Sequence, residues 1–160
     1  MKFPNSQVFI NKLNNLFNGL IAVPLLLVAF GYLEIRYGTW TALIAPSNAI
    51  VIGMSIGLTV MIIYLSLKFK KESRNLTVYD DIQDKLSGYY SLASFYYWSV
   101  FAISLITTSL LFLFAHVAFV IVYAILLFWM SIFRPTLRSL ADLLGLKDDE
   151  KRKFLNKEPF

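Results

Sequence analysis

The fold is decided by residues 86–133, LSGYYSLASFYYWSVFAISLITTSLLFLFAHVAFVIVYAILLFWMSIF, which contain no Asp, Glu, Lys or Arg. A hydrocarbon core about 30 Å thick is crossed by roughly 20 helical residues, so a run more than twice that long must cross it twice. We expect the turn at Phe114, Ala115 and His116, because His116 is the one histidine of the run and such a polar, ionisable side chain belongs at an interface. The stretch therefore predicts a membrane hairpin.

Composition places the whole chain in the membrane class. Of its 160 residues 58% are hydrophobic and 16% charged, whereas about a quarter of the residues in soluble domains are charged. This length accommodates about four spans and no separate soluble domain, so we expect one domain over residues 1–160. With no cysteine and one histidine, the chain cannot by itself supply most zinc, iron–sulfur, thiol or haem sites. We expect no cofactor, no metal site and no catalytic residue.

Hydropathy and turn residues divide the chain into four predicted spans and a C-terminal surface segment. These are residues 16–34, 48–68, 90–113 and 117–133 for the spans, and 134–160 for the surface segment. The preceding residues 1–15 are expected to lie on the membrane surface or to fray. The predicted architecture is an all-α, four-helix membrane bundle.

Local signals predict how the helices begin and end. Pro24 predicts a kink in the first span. Thr77 and Asp80 resemble a capping box, so the third helix is expected to start near Val78 and run continuously into its span. After the fourth span, Gly145 is placed as a helix C-cap, and residues 147–157 carry acids before bases, as a helix dipole favours. The surface segment is therefore expected to form short amphipathic helices.

The distribution of basic residues predicts that both termini are cytoplasmic. With four spans, fourteen of the fifteen Lys and Arg residues fall on one side and only Arg36 on the other, whereas three spans would lose this asymmetry. The same bias explains the net charge of +5 better than nucleic-acid binding does. The chain is thus predicted to be an inner-membrane protein with both termini inside. The candidate headgroup or partner contacts are Lys68, Lys70, Lys71, Arg134 and Arg138.

Two sets of residues at helical spacing are candidates for helix packing. Ala49, Gly53 and Gly57 form a small-residue ridge, for which packing within the monomer is favoured over a dimer seam. A second set forms a polar stripe on the third span: Tyr90, Ser94, Tyr97, Ser104 and Thr108. Its hydroxyls, above all those of Ser94, Ser104 and Thr108, are expected to form interhelical hydrogen bonds of roughly 1 kcal/mol. The alternative is that the stripe lines a ligand cavity.

The C-terminal half resembles a group of small four-span membrane proteins of the Bacteroidetes. The resemblance rests on the entry into the third span and the exit from the fourth: Lys85, Leu86, Tyr89, Tyr90, Ala93, Ser94, Phe133, Arg134, Pro135, Thr136, Asp142 and Leu143. The Gly-containing external turn of that group is replaced here by residues 114–116. The resemblance implies a four-span fold and no activity.

Three functions are compatible with these features. Charged residues occur only at the ends of the predicted spans, at Glu34 and Lys68. Their absence from the span interiors argues against proton-coupled transport and favours a non-enzymatic inner-membrane protein, either an accessory subunit or a small homo-oligomer. Its expected partners are the lipid bilayer, other membrane subunits or a second copy, and no nucleic acid. The first alternative is a transporter or channel for a neutral or lipidic molecule along the polar stripe. The second is an enzyme of the four-helix glutathione-transferase-like type, for which Lys68, Lys70, Lys71 and Arg134 would supply positive charge.

Overall fold

The computed structural model describes residues 3–159, which form an all-helical protein, as predicted. Its elements are α1 (Ser6–Arg36), α2 (Asn48–Arg74), a 3₁₀ turn (Asn75–Val78), α3 (Ile82–Phe114), α4 (Ala118–Ile132), α5 (Leu137–Leu143) and α6 (Asp148–Asn156). Three of these helices, α1, α2 and α3, are long and apolar enough to cross a membrane. The count rises to four only if α4 and α5, which meet at a 72° bend, are taken as one span.

Helix α1 begins well before the predicted first span. It starts at Ser6 and continues without a break to Arg36, with Pro24 inside it. Phe3 and Phe9 are buried, so the expectation of a surface or frayed segment is wrong for residues 3–15. The reason is that both aromatic rings pack in a protein core. Lys2, one of the bases in the charge count, lies outside the described residues.

The hairpin of α3 and α4 turns where the sequence predicts. Helix α3 ends at Phe114, and Ala115 adopts a φ of +47°, the left-handed conformation common after a helix C-terminus. The Nδ1 atom of His116 then accepts a hydrogen bond from the backbone N–H of Ala118, the first residue of α4. A backbone conformation usually given to glycine is thus held here by an alanine.

The start of α3 differs from the prediction. The helix begins at Ile82, and an Asp81 carboxylate oxygen accepts from the backbone N–H of Gln83 at 3.2 Å. The expected capping box of Thr77 and Asp80 does not form, because the Thr77 hydroxyl instead donates to the carbonyl of Arg74. The continuous helix into the third span is confirmed, with a start four residues later.

Helix α4 is short for a membrane span. Its 15 residues rise about 22 Å, less than the roughly 30 Å of a hydrocarbon core. Pro135 follows closely, and proline cannot donate a hydrogen bond to a continuing helix. The predicted span 117–133 therefore matches a helix but does not meet the length of a crossing by itself.

Two short helices follow, as predicted. Gly145 has a φ of +57° directly after α5, which is the expected C-cap conformation. At the start of α6, a Glu150 carboxylate oxygen accepts from the backbone N–H of Lys147. Leu140, Leu144 and Phe154 are buried, so these helices insert side chains into a protein core.

The chain divides into two compact units. We call residues 3–18, 66–97 and 134–159 the polar unit, and residues 19–65 and 98–133 the apolar unit. Of the charged residues, the apolar unit contains only Glu34 and Arg36, and all the others lie in the remaining segments of the sequence. Three of the four borders fall within three residues of a predicted span end, whereas the border between residues 97 and 98 lies inside the predicted third span, 90–113. The expectation of a single folding domain stays a prediction.

The polar unit has an aromatic core assembled from distant parts of the chain. Phe9 and Phe69 both contact the Tyr89 ring, at centroid distances of 6.2 and 5.8 Å, and Phe69 stacks on Tyr96 at 4.7 Å. The Ser66 and Tyr96 hydroxyls are 2.9 Å apart, which joins α2 to α3. Rings and a buried hydrogen bond therefore connect three helices within this unit.

The N- and C-terminal segments also meet in the polar unit. The Ser6 hydroxyl donates to the carbonyl of Phe154 at 2.6 Å, and a single antiparallel bridge joins Asn5 to Pro159. Phe154 is fully buried. The segment predicted to rest on a membrane surface is thus part of the core.

The apolar unit has a smaller core of aliphatic and aromatic side chains. Its buried members are Val28, Val51, Leu111, Phe114, Phe119 and Tyr123. Gly31 allows a close approach, because a Cβ there would lie 2.9 Å from Cζ of Phe112. The loop after α1 caps α3: the Trp40 indole N–H donates to the Phe112 carbonyl, and the backbone N–H groups of residues 43 and 44 donate to that of Leu113. The rest of its helical surface is largely apolar and exposed.

Candidate functional site

The polar stripe of α3 divides between the two units. In the apolar unit the Ser104 hydroxyl donates to the carbonyl of Phe101, and the Thr108 hydroxyl donates to that of Ser104, at 2.7 Å each. These bonds lie within one helix, so the expected interhelical hydrogen bonds from Ser104 and Thr108 are absent. Buried threonine and serine hydroxyls in helices commonly donate to the backbone carbonyl three or four residues earlier in the same helix.

The other members of the stripe lie in the polar unit. The Tyr90 ring lies 5.7 Å from the Phe3 ring and beneath the Lys12 ammonium at 5.0 Å. The Tyr97 ring packs edge-on against Phe17 at 5.5 Å. Tyr90 and Tyr97 therefore contact α1 through their rings, and they serve helix packing as aromatic groups.

Three buried polar atoms near this contact have no hydrogen-bond partner among residues 3–159. They are the Tyr97 hydroxyl, the Ser94 hydroxyl and the amide oxygen of Asn14. Ser94 precedes Tyr97 by three residues on α3, and Asn14 precedes Phe17 by three on α1, so each lies on the helix face that makes the contact. Buried polar groups are nearly always paired, which makes this group of three the strongest candidate for a site.

Arg134 contributes a positive charge to the same place. Its guanidinium carbon lies 5.8 Å from the centroid of the Phe17 ring, which is within the range of a cation–π contact. The other predicted contacts, Lys68, Lys70, Lys71 and Arg138, are exposed, and Lys68 lies 3.9 Å from Glu72. Arg134 is the one of the five with a contact to Phe17, whose ring also packs against Tyr97.

The small-residue ridge is not covered. Ala49, Gly53 and Gly57 are all exposed, and a Cβ added at either glycine would have no neighbour within 4 Å in the described chain. The buried stripe of α2 lies elsewhere, on Val51, Ile62 and residues further along. Packing of the ridge within the monomer, which the sequence favours, is therefore not what this chain does.

A shallow apolar groove lies beside the ridge, with a volume of about 290 Å³. It is lined by α2 and α4 through Ser55, Ile56, Thr59, Val60, Ala118, Ile121, Val122 and Ile125. None of these residues belongs to the polar stripe. The groove therefore gives no support to a transport path along Ser94, Ser104 and Thr108.

The acidic and histidine side chains of residues 3–159 do not gather into one cluster. No group of three or more His, Asp or Glu side chains is placed to hold a metal ion there. The Glu34 carboxylate accepts from the Thr39 hydroxyl, and His116 caps α4. Both polar groups thus serve local turns.

Sequence reasoning missed two members of the candidate site. Phe17 and Asn14 lie at the start of the predicted first span, where Phe17 looked like an ordinary apolar residue. The spacing of Phe9, Leu13 and Phe17, four residues apart, is a signal that could have extended the helix backwards from the span.

No family model, curated protein or solved structure matches the chain.

Proposed function

We propose that this protein is a non-enzymatic subunit of a bacterial inner-membrane assembly and that it associates with a second copy of itself through α2. The observation that carries the proposal is the exposed ridge of Ala49, Gly53 and Gly57. A glycine inside a helix costs about 0.5–1 kcal/mol relative to alanine, and in the described chain no close approach offsets this cost. Small residues four apart are the pattern that lets two membrane helices approach closely.

The surroundings of the ridge support the same interface. Only 22% of the most apolar stretch of α2 is buried, so most of this helix is available to lipid or to a second helix. The 290 Å³ groove adds an apolar concavity next to the ridge, with the Ser55 hydroxyl buried in its lining region and without a partner in the described chain. A second α2 would place side chains in the groove while the ridges meet.

The predicted topology accompanies this proposal. Four spans with both termini in the cytoplasm place all basic residues except Arg36 on the cytoplasmic side. Helix α4 then crosses as a short span, with thinning of the bilayer or snorkelling of Arg134 making up the difference in length. A periplasmic reporter enzyme fused after Asn156 should stay inactive, and the same reporter inserted near Thr41 should be active. The reverse pattern would contradict the topology.

Bulky substitutions on the ridge test self-association. Gly57→Ile should raise the dimer dissociation constant at least tenfold in lipid bilayers, as measured by single-molecule photobleaching. Gly19→Ile is the matched control, because Gly19 is also helical and also has nothing within 4 Å of a Cβ. A wild-type protein that remains monomeric in mild detergent and in bilayers, with no co-purifying protein, would overturn the proposal.

Cross-linking gives a second, independent test. The chain has no cysteine, so a single substitution reports on one position only. Gly53→Cys should form a disulfide-linked dimer under mild oxidation, since a ridge-to-ridge contact brings the two copies of this position together. Gly19→Cys should not. Equal cross-linking of the two variants would mean that the dimers form by random collision.

A further inference from the structure

Arg134 lies where an anion can reach it. The residue is exposed and directly follows the segment that ends α4, and one face of its guanidinium lies over the Phe17 ring. No carboxylate among residues 3–159 forms an ion pair with it. Its N–H donors therefore remain available for an acceptor from outside the described chain, in the planar geometry that matches phosphate or carboxylate oxygens.

The Tyr97 hydroxyl supplies a second donor at the same place. Tyr97 is only 1% exposed, its ring contacts Phe17, and its hydroxyl has no partner in the described chain. An unpaired buried hydroxyl is costly, so a permanent partner is expected. The ring of Phe17 contacts both the Tyr97 ring and the guanidinium of Arg134, so both donor residues pack against the same side chain of α1.

Ser94 and Asn14 extend the polar surroundings. A helical side chain leans toward the N-terminus, so the Tyr97 ring covers the turn that contains Ser94. The contacts of Lys12 with Tyr90 and of Phe17 with Tyr97 show that α1 and α3 run side by side in the same direction here, with Asn14 and Ser94 between the two contacts. Both carry buried atoms without partners in the described chain. The Ser94 hydroxyl can donate to an oxygen of a bound group, whereas the Asn14 amide oxygen only accepts and would need a hydroxyl or a water molecule as its donor.

We propose that Arg134 and the Tyr97 hydroxyl bind a phosphate group, and that this phosphate belongs to the headgroup of an anionic phospholipid. An ionised phosphodiester only accepts hydrogen bonds at its charged oxygens, which matches two donors that lack acceptors. The lipid source follows from position: Phe17 is at the start of the first predicted span, and Arg134 follows the short helix α4. A cation at that depth is stabilised by headgroup phosphates of the inner leaflet.

Lipid binding to the full chain tests the site. The protein is purified in a neutral detergent and titrated with phosphatidylglycerol, with phosphatidylcholine and with inorganic phosphate, and bound species are counted by native mass spectrometry. We expect one phosphatidylglycerol to bind at least about tenfold more tightly than phosphatidylcholine, with no competition from millimolar inorganic phosphate. Equal binding of the two lipids would overturn the assignment to an anionic phospholipid, because phosphatidylcholine carries the same phosphodiester with a choline cation beside it. Displacement by inorganic phosphate at similar concentrations would overturn the assignment to a lipid.

Substitutions identify the donors. Arg134→Gln should weaken phosphatidylglycerol binding at least about tenfold, since a charge-assisted hydrogen bond is lost, and Tyr97→Phe should weaken it severalfold. Arg138→Gln, which removes an exposed charge four residues away, and Tyr64→Phe, which removes an exposed hydroxyl, are the matched controls and should leave binding unchanged.

Circular dichroism and thermal melting check that the Arg134→Gln and Tyr97→Phe variants still fold. Arg134 is exposed and Tyr97→Phe keeps the buried ring, so both variants should retain the helical circular dichroism and melting behaviour of the wild type. Arg134→Lys should restore only part of the affinity, because an ammonium cannot bind two oxygens in one plane. If Arg134→Gln weakens binding no more than Arg138→Gln does, the attraction is a general charge effect and the proposed site is wrong.

Discussion

The two units share α1, α2 and α3 but pack by different rules. In the polar unit, buried aromatic rings come from chain segments far apart in sequence, as the contact of Phe9 with Tyr89 shows. In the apolar unit, large side chains such as Leu26 and Phe128 are about 70% exposed. One helix can therefore contribute side chains to a buried aromatic core in one part of its length and leave large apolar side chains exposed in another.

The largest expected difference between the units is in the cost of removing a phenylalanine. Phe154→Ala should lower the free energy of unfolding by about 3–5 kcal/mol, because it leaves a cavity in the polar unit. Phe128→Ala, in the apolar unit, should cost far less because the Phe128 side chain is 68% exposed and its removal leaves no comparable cavity. Denaturation in mixed micelles followed by circular dichroism measures both. Equal losses would mean that Phe154 is not a core residue.

A smaller effect tests the close packing of the apolar unit. Gly31→Leu should cost about 1–3 kcal/mol, since the added atoms overlap with Phe112 and Leu111. Gly19→Leu is the control: nothing lies within 4 Å of a Cβ there, so it should not lower the stability and should raise it by about 0.5–1 kcal/mol through helix propensity. Thermal melts of the two variants in the same detergent make the comparison. A stable Gly31→Leu variant would contradict the packing described for this unit.

The hydrogen bond between the Ser66 and Tyr96 hydroxyls should contribute about 1 kcal/mol. A double-mutant cycle with Ser66→Ala and Tyr96→Phe isolates the coupling of the pair from the other contacts of each residue. Thr108→Val provides the contrast in the apolar unit, where the hydroxyl bonds only its own helix, and should change stability by about 0.5 kcal/mol or less. A coupling near zero would mean that the hydrogen bond between Ser66 and Tyr96 stabilises the polar unit no more than the Thr108 hydroxyl stabilises the apolar unit.

The smallest expected effect is that of an exposed ion pair. Lys68→Gln removes the 3.9 Å contact with Glu72, one helical turn away. Such pairs contribute about 0.3–0.5 kcal/mol and are screened by salt. Unfolding at 50 mM and 500 mM sodium chloride should show the difference shrinking at the higher concentration. An effect above about 1 kcal/mol would mean that Lys68 has a further role.

Hydropathy and turn chemistry made much of the fold predictable. The turn at Phe114–His116 and the cap at Gly145 follow from local signals that act within a few residues. The polar unit was not predictable in the same way, because its core joins segments whose pairing no local pattern encodes. The segments that contain Phe3, Phe9 and Phe154 look like separate amphipathic pieces in the sequence. Only the structure shows that all three side chains are buried in the polar unit.

Only part of the candidate site was predictable, because spacing along one helix does not give the partners of its side chains. Tyr97 and Ser94 share the polar stripe with Ser104 and Thr108, and spacing alone cannot tell which hydroxyls bond their own helix. Arg134 belonged to a set of five equivalent bases until its contact with Phe17 distinguished it. Side-chain partners, unlike helical periods, depend on the neighbouring element.

The hydrogen bond from Ser6 to the carbonyl of Phe154 spans 148 residues, and this separation sets an order of events during synthesis. At 5–20 residues per second, the ribosome needs about 7–30 s to make the second partner after the first. The long apolar helices of α1, α2 and α3 have all been made by then. The core around Phe9 and Phe154 therefore closes last, and a chain that stops short of residue 154 leaves its aromatic rings uncovered for proteases and chaperones to detect.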